Sequence, residues 1–178
     1  PRSSCWKAPR PSESVPPATA VGAPTGRQAP GDPRRAGGGP NVGAGGLQFA
    51  IDAGAAGEVT AAVRAATDLP LLVKLSPNVA DIRPIARAIE DAGADALTAI
   101  NTLSGIAVAP GRTRPLLGNT YGGLSGPAVK PVALRIVFEA AQAVKIPVVA
   151  VAGKTDLSDV LDFLSVGAVA VQVGTAPF

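Results

Sequence analysis

Apolar residues change their spacing near residue 46. Beyond it, short continuous apolar runs alternate with stretches that are apolar at every third or fourth position. The runs Leu71–Leu75, Ala96–Ile100, Pro147–Val151 and Ala170–Val173 predict buried strands. The stretches Glu58–Thr67, Asp81–Ala92, Pro127–Val144 and Asp156–Val166 predict helices. The second helix places Ile82, Ile85, Ala86 and Ile89 on one face, and Gly93 stops it. The third places Leu134, Val137, Phe138 and Ala141 inward, with Pro127 near its start. The fourth turns Val160, Leu161 and Leu164 inward, and Gly167 ends it. Pro77-Asn78 reads as a turn, and 101–126 as a long Gly-rich excursion.

Strands that are apolar on both faces, each joined to the next by a helix, predict a parallel sheet covered by helices, an α/β fold. Four such strands make half of a (β/α)8 barrel, which needs eight and typically about 250 residues. The sequence stops after its last strand, so open sheet edges and an uncovered apolar face are expected.

Residues 1–46 follow no period. Nine Pro and nine Gly fall there, too many for a segment that must bury apolar area to offset its ordering entropy. This head reads as a disordered, basic, Pro/Gly-rich tail, with 47–178 as the folded unit. Its six basic and two acidic residues give it +4, while the remainder carries −1. The overall +3 therefore describes the head, and nothing in the main body predicts a nucleic-acid surface. The chain begins with Pro1 rather than methionine, which suggests a fragment or a processed start.

The chain has no His, which excludes a Ser-His-Asp triad and a His-ligated metal. Its single Cys5 excludes an internal disulfide and a CxxC pair. No apolar run reaches the roughly 20 residues of a membrane span and no signal peptide opens the chain, so a cytoplasmic location is expected.

In such a barrel, ligands meet the C-terminal ends of the strands. Those ends carry Lys74, Asn101-Thr102, Ala152-Gly153-Lys154 and Gly174-Thr175. The last two groups predict a phosphate site, because glycines let the backbone approach and free N–H groups bind anions. Lys74 sits within an apolar run, where burial of an ammonium is costly unless it meets an anion or ligand; snorkelling into solvent is the alternative. Asn101 and Thr102 serve equally as caps or as partners of a planar polar substrate. The loop 118–128 ends in Leu124-Ser125-Gly126-Pro127 and predicts a backbone cradle at a helix start.

The stretches LLVKLSPNV (71–79), AINT (99–102), GGLSGPAVKPVALR (122–135) and VGAVAVQVGTAPF (166–178) resemble the C-terminal half of dihydroorotate dehydrogenase, in the class 1 form that works with an electron-transfer subunit. The likeness runs from about Pro40 to Phe178. It implies a partial (β/α)8 barrel that uses FMN to oxidise dihydroorotate to orotate in pyrimidine synthesis. It further implies a partner subunit with FAD and an iron–sulfur cluster, and an oligomer when intact. By resemblance, Lys74 contacts the flavin and Ile100 lies against it. Asn101 and Thr102 bind substrate, and Gly126 faces the flavin through its backbone. Ala152, Gly153, Gly174 and Thr175 hold the FMN phosphate.

Three departures accompany the likeness. Where the family has Ser-Cys-Pro-Asn, with Cys as the proton-abstracting base, this chain has Gly38-Gly39-Pro40-Asn41, and the family's Asn three residues earlier falls on Ala36. Gly39 has no side chain to accept a proton, so an impaired copy with no catalytic base is expected. Ala152 replaces a glycine, and Lys154 replaces an apolar residue, compensating by its charge. Residues 1–39 show no likeness to the first barrel half, which predicts a frame error or a junction upstream of Pro40. Two alternatives stand beside this reading: a non-catalytic barrel fragment, and another FMN barrel enzyme such as a dihydropyrimidine dehydrogenase domain.

Overall fold

Helix α1 (Ala53–Ala66) leads to strand β1 (Leu72–Leu75), helix α2 (Arg83–Asp91) and strand β2 (Ala96–Ala99). A hairpin of β3 (Leu103–Gly105) and β4 (Gly122–Leu124) follows, then a 3-10 turn (Pro127–Val129) running into α3 (Lys130–Ala143). Strand β5 (Val148–Val151), helix α4 (Leu157–Ser165) and strand β6 (Ala170–Gln172) complete the order. The computed structural model describes residues 50–108, 111 and 114–174. The expectations for the 1–46 head, Gly39 and Thr175 lie outside them.

The sheet order is β1-β2-β5-β6, with every neighbouring pair parallel. Each strand adds on the same side as the one before, and the helices touch in the sequence α1, α2, α3, α4. A doubly wound sheet would reverse direction at a switch point. Winding that never reverses is the local geometry of a (β/α)8 barrel, and the fold is α/β with part of such a barrel.

Pairing registers divide the strand residues into two faces. Val73, Leu97, Val148 and, two residues on, Leu75, Ala99 and Ala150 lie across from one another and pack under the helices. Lys74, Thr98, Val149 and Ala170 alternate with them on the opposite face. Ile82, Ile136 and Phe163 close the core from the helix side, all at 0% exposure. Enclosing each such side chain contributes about 1.5–3 kcal/mol.

Helix α1 begins five residues earlier than its periodicity predicts. The Asp52 carboxylate accepts from Ala55 N–H at 2.8 Å and caps it. Within it Gly57 lies against α2, where an added Cβ would sit 3.4 Å from the Ala88 carbonyl. The end of the sheet opposite the ligand side is fastened by polar clamps. Asp95 accepts from Arg64 (2.9 Å) and from Leu71 N–H (2.6 Å), and Glu90 accepts from Lys145 and Ile146 N–H.

Two predicted stripes are corrected. Helix α3 buries Ala133, Ile136, Val137 and Ala140, while Phe138 is exposed and Leu134 and Ala141 flank the contact. The helix is apolar on more than one side, so spacing alone could not choose the face. Helix α4 buries Asp159 and Phe163 and leaves Leu161 and Leu164 exposed. There the buried carboxylate has partners that outweigh the aliphatic stripe, as the site geometry shows.

Candidate functional site

Strand β1 ends into Ser76-Pro77-Asn78 and β2 into Ile100-Asn101-Thr102. Two hydrogen bonds lock the ends together: Asn101 N–H donates to the Leu75 carbonyl (2.9 Å), and Ile100 N–H to the Val151 carbonyl (3.1 Å). The ends of β1, β2 and β5 thus form one ledge.

Asn78 organises the β1–β2 part of that ledge. Its side-chain amide donates to the Ser76 hydroxyl and the Thr102 carbonyl, both at 3.2 Å, and its side-chain oxygen accepts from Ser104 N–H at 2.8 Å. Asn78 therefore grips the chain on both sides of Leu103 and fixes the hairpin over the strand ends. The hairpin strand β4 packs directly on Thr102: a Cβ on Gly123 would lie 2.3 Å from Thr102 Oγ1. Asn101 Oδ1 accepts from Thr102 N–H at 2.8 Å, and no described residue takes its side-chain NH2. A hollow of about 350 Å³ results, lined by Ser76, Asn78, Asn101, Thr102, Ser104 and Tyr121, with Gly122 and Gly123 at its wall. Sequence reasoning found Asn101 and Thr102 but read Asn78 only as a turn. An amide side chain just past the end of a barrel strand was the available signal.

Lys74 stands on the open sheet face beside Thr98 and is exposed. The burial cost invoked for it does not apply, because the strand buries its alternate residues, Val73 and Leu75, instead. No carboxylate pairs with Lys74 among the described residues. It lines a smaller hollow of about 140 Å³ that shares Ser76 with the larger one. The Ile100 side chain is buried in the core at 1% exposure, so its backbone is what borders the ledge.

The second half of the ledge is built from backbone. Ala152 and Gly153 have φ +77 and +75, two successive left-handed residues after β5. Gly153 is buried and presses on the start of α3, where an added Cβ would lie 2.9 Å from Lys130 Cα. Gly126, also left-handed at φ +77, immediately precedes the turn leading into α3. Gly126 and Gly153 thus flank the same helix start. Beyond Gly126 and Gly174 an added Cβ would meet nothing within 4 Å. No acceptor among the described residues takes the Gly153 N–H. A buried amide without a partner is costly, and an anionic ligand group would satisfy it. This orphan donor, with open space over two neighbouring glycines, fits the phosphate group of a nucleotide. Neither hollow reaches Gly153. Strands β1 and β6 lie three spacings apart, roughly 14 Å, so only an elongated ligand engages both ends.

Behind this loop lies a charged network. Asp159 accepts from Lys130 Nζ, from Thr155 N–H (2.7 Å) and from the Thr155 hydroxyl (2.8 Å), while Lys130 also reaches Asp162 at 2.6 Å. The Lys130 ammonium and the Thr155 donors hold the Asp159 carboxyl well below the usual range. Asp159 and then Asp162 hold Lys130 well above its own. Lys154 turns away from the ligand side, donating to the carbonyls of Ala150 (3.3 Å) and Ala152 (3.1 Å). Its ammonium lies 4.3 Å from the Phe163 ring centroid. Burial pushes Lys154 below the usual lysine range, against the opposing pull of Asp159. The expected direct compensation of Ala152 by this charge is replaced by contact from behind.

The sequence comparisons agree on one family. The family model described as dihydroorotate dehydrogenase matches residues 38–178. A protein from Trichlorobacter lovleyi named dihydroorotate dehydrogenase B (NAD(+)), catalytic subunit, is 58% identical over 139 residues, which is 78% of this chain and 46% of that protein. Its namesake from Fusobacterium nucleatum is 52% identical with the same coverage. Among solved structures, a DHODH from Eimeria tenella in complex with ferulenol superimposes with TM-score 0.49 at 28% identity, covering 61% of this chain and 29% of that one. The chain spans about half the length of the curated relatives it matches.

Proposed function

The chain belongs to the dihydroorotate dehydrogenase family, and from that premise we propose that residues 47–178 are the FMN-holding half of a barrel that oxidises dihydroorotate to orotate in pyrimidine synthesis. Members of the family are flavin enzymes. The observation that carries the reading is the polar hollow at the ends of β1 and β2. A dihydropyrimidine ring offers N–H donors and carbonyl acceptors along its edge. The side-chain amide of Asn101 and the hydroxyl of Thr102 supply complementary groups, held in place by Asn78.

FMN, when bound, supplies the acceptor for the hydride removed from substrate. Lys74, unpaired on the open face, would hold the flavin ring together with the backbones of Ile100 and Gly126, and the amides of Ala152, Gly153, Gly174 and Thr175 would hold the phosphate. The names of the relatives, each a catalytic subunit, support a partner subunit; the proposal gives that partner an FAD and an iron–sulfur cluster for passing electrons onward, and makes the whole an oligomeric cytoplasmic enzyme. No helix among the described residues is long and apolar enough to cross a membrane.

Proton removal is where this chain departs. With Gly39 in the position of the family's Cys, no side chain there accepts the proton, and general base catalysis is worth roughly 10²–10⁴-fold. The reading is therefore flavin binding with impaired turnover. The test is to purify the full chain, titrate it with FMN by absorbance and fluorescence, then add dihydroorotate. Saturable flavin binding with slow bleaching of the flavin is expected. Failure to bind FMN at all refutes the flavin reading, and reduction at the rate of an intact enzyme refutes the impairment.

A further inference from the structure

Lys154 is a departure from the family pattern whose contacts serve neither ligand nor ion pair. Its ammonium donates to Ala150 and Ala152 carbonyls and covers the Phe163 ring. An apolar side chain would fill the space over Phe163 without the cost of desolvating a charge. The carbonyl contacts must therefore supply something that an apolar residue does not.

The peptide between Ala152 and Gly153 is trans, so its C=O and N–H point in opposite directions. Holding the carbonyl on one side aims the amide to the other. The amide so aimed is the buried Gly153 N–H, which no described residue accepts. Ala152 is also an L-residue in the left-handed region, where its Cβ disfavours the conformation by about 1–2 kcal/mol. Two charge-assisted hydrogen bonds to the carbonyls of residues 150 and 152 hold the loop against that preference. Resting on the FMN reading above, we infer that Lys154 is a positioning residue: by holding the Ala152 carbonyl on the Phe163 side, it turns the Gly153 N–H toward the phosphate group of the bound nucleotide. In a chain that carries Ala where the family has Gly, the loop geometry is fixed by a cation behind it instead of by glycine's freedom.

The test uses the full chain and a pair of probes, FMN and riboflavin, which differ only in the phosphate. Dissociation constants are measured by flavin fluorescence for wild type, Lys154→Met and Lys154→Arg, with the melting temperature of each apoprotein. Lys154→Met should weaken FMN by about tenfold, the scale of one lost charge-assisted hydrogen bond, while leaving riboflavin unchanged. Lys154→Arg should restore most of the FMN preference. Loss of both flavins in equal measure makes Lys154 a general structural residue and overturns the proposal, as does an unchanged preference. A wild-type chain that binds neither flavin refutes the FMN reading itself, a different result from a wild type that binds FMN beside an unaffected Lys154→Met. Should Lys154→Met fail to fold, the wild-type Gly153 amide resonance decides: it should shift with FMN and not with riboflavin, and a resonance unmoved by FMN overturns the proposal.

Discussion

Replacing Ala152 by glycine should stabilise the protein. Ala152 occupies φ +77, where an L-residue costs about 1–2 kcal/mol. Glycine removes that cost but adds about 0.4–1 kcal/mol of unfolded-chain entropy. The difference spans about 0–1.6 kcal/mol, and its midpoint of about 0.8 kcal/mol corresponds to a rise of roughly 2–5 °C in melting temperature. Two reference substitutions fix the sign. Ala61→Gly, at an exposed position inside α1, should lose about 1 kcal/mol from helix propensity alone. Gly153→Ala should lose about 2–4 kcal/mol, because its φ is +75 and its new Cβ would meet Lys130 Cα at 2.9 Å. The assay is reversible thermal or urea unfolding of the three variants beside wild type. An Ala152→Gly protein that melts below wild type, as Ala61→Gly should, refutes the claim that the loop is held in a conformation alanine resists.

Asn78→Ala removes three hydrogen bonds, two of them to the chain at the hairpin, and should cost about 1–3 kcal/mol. Hydrogen exchange at the Ser104 amide, which donates to Asn78, should accelerate; an unchanged rate contradicts the gripping role. Asp159 has its carboxyl well below the usual range. Its ion pair and hydrogen bonds therefore stabilise the fold fully above the unfolded-state value of about 3.9, and that stabilisation is lost as pH falls toward the lower folded value. Asp159→Asn should be less stable at neutral pH yet lose less on acidification below about pH 4. Parallel stability–pH curves for the two proteins speak against the linkage.

What the sequence disclosed depended on how unambiguous each local signal was. Ile82, Ile85, Ala86 and Ile89 are buried as expected, because Arg83, Arg87, Glu90 and Asp91 leave α2 only one apolar side. The helices without such contrast were misoriented. In α4 Val160, Leu161 and Leu164 advertise a stripe, but Phe163 fills the core and Asp159 anchors the loop, and only its partners make a buried carboxylate favourable. The start of α1 was hidden by Gly54 and Gly57, poor helix formers that Asp52 overrules. The hairpin was invisible because Leu103-Ser104-Gly105 and Gly122-Gly123-Leu124 hold few residues that favour strands. Asn101, Thr102 and the glycine loops could be located from the strand ends. The role of Asn78 and the inward turn of Lys154 depend on contacts between segments far apart in sequence.

The buried side of α4 is shared property. Asp159 faces Thr155 and Lys130, and Phe163 lies under Lys154, so the helix that looks like outer cladding sets the shape of the last turn after β5. Anyone repacking those two positions for thermostability would be reshaping that turn in the same stroke.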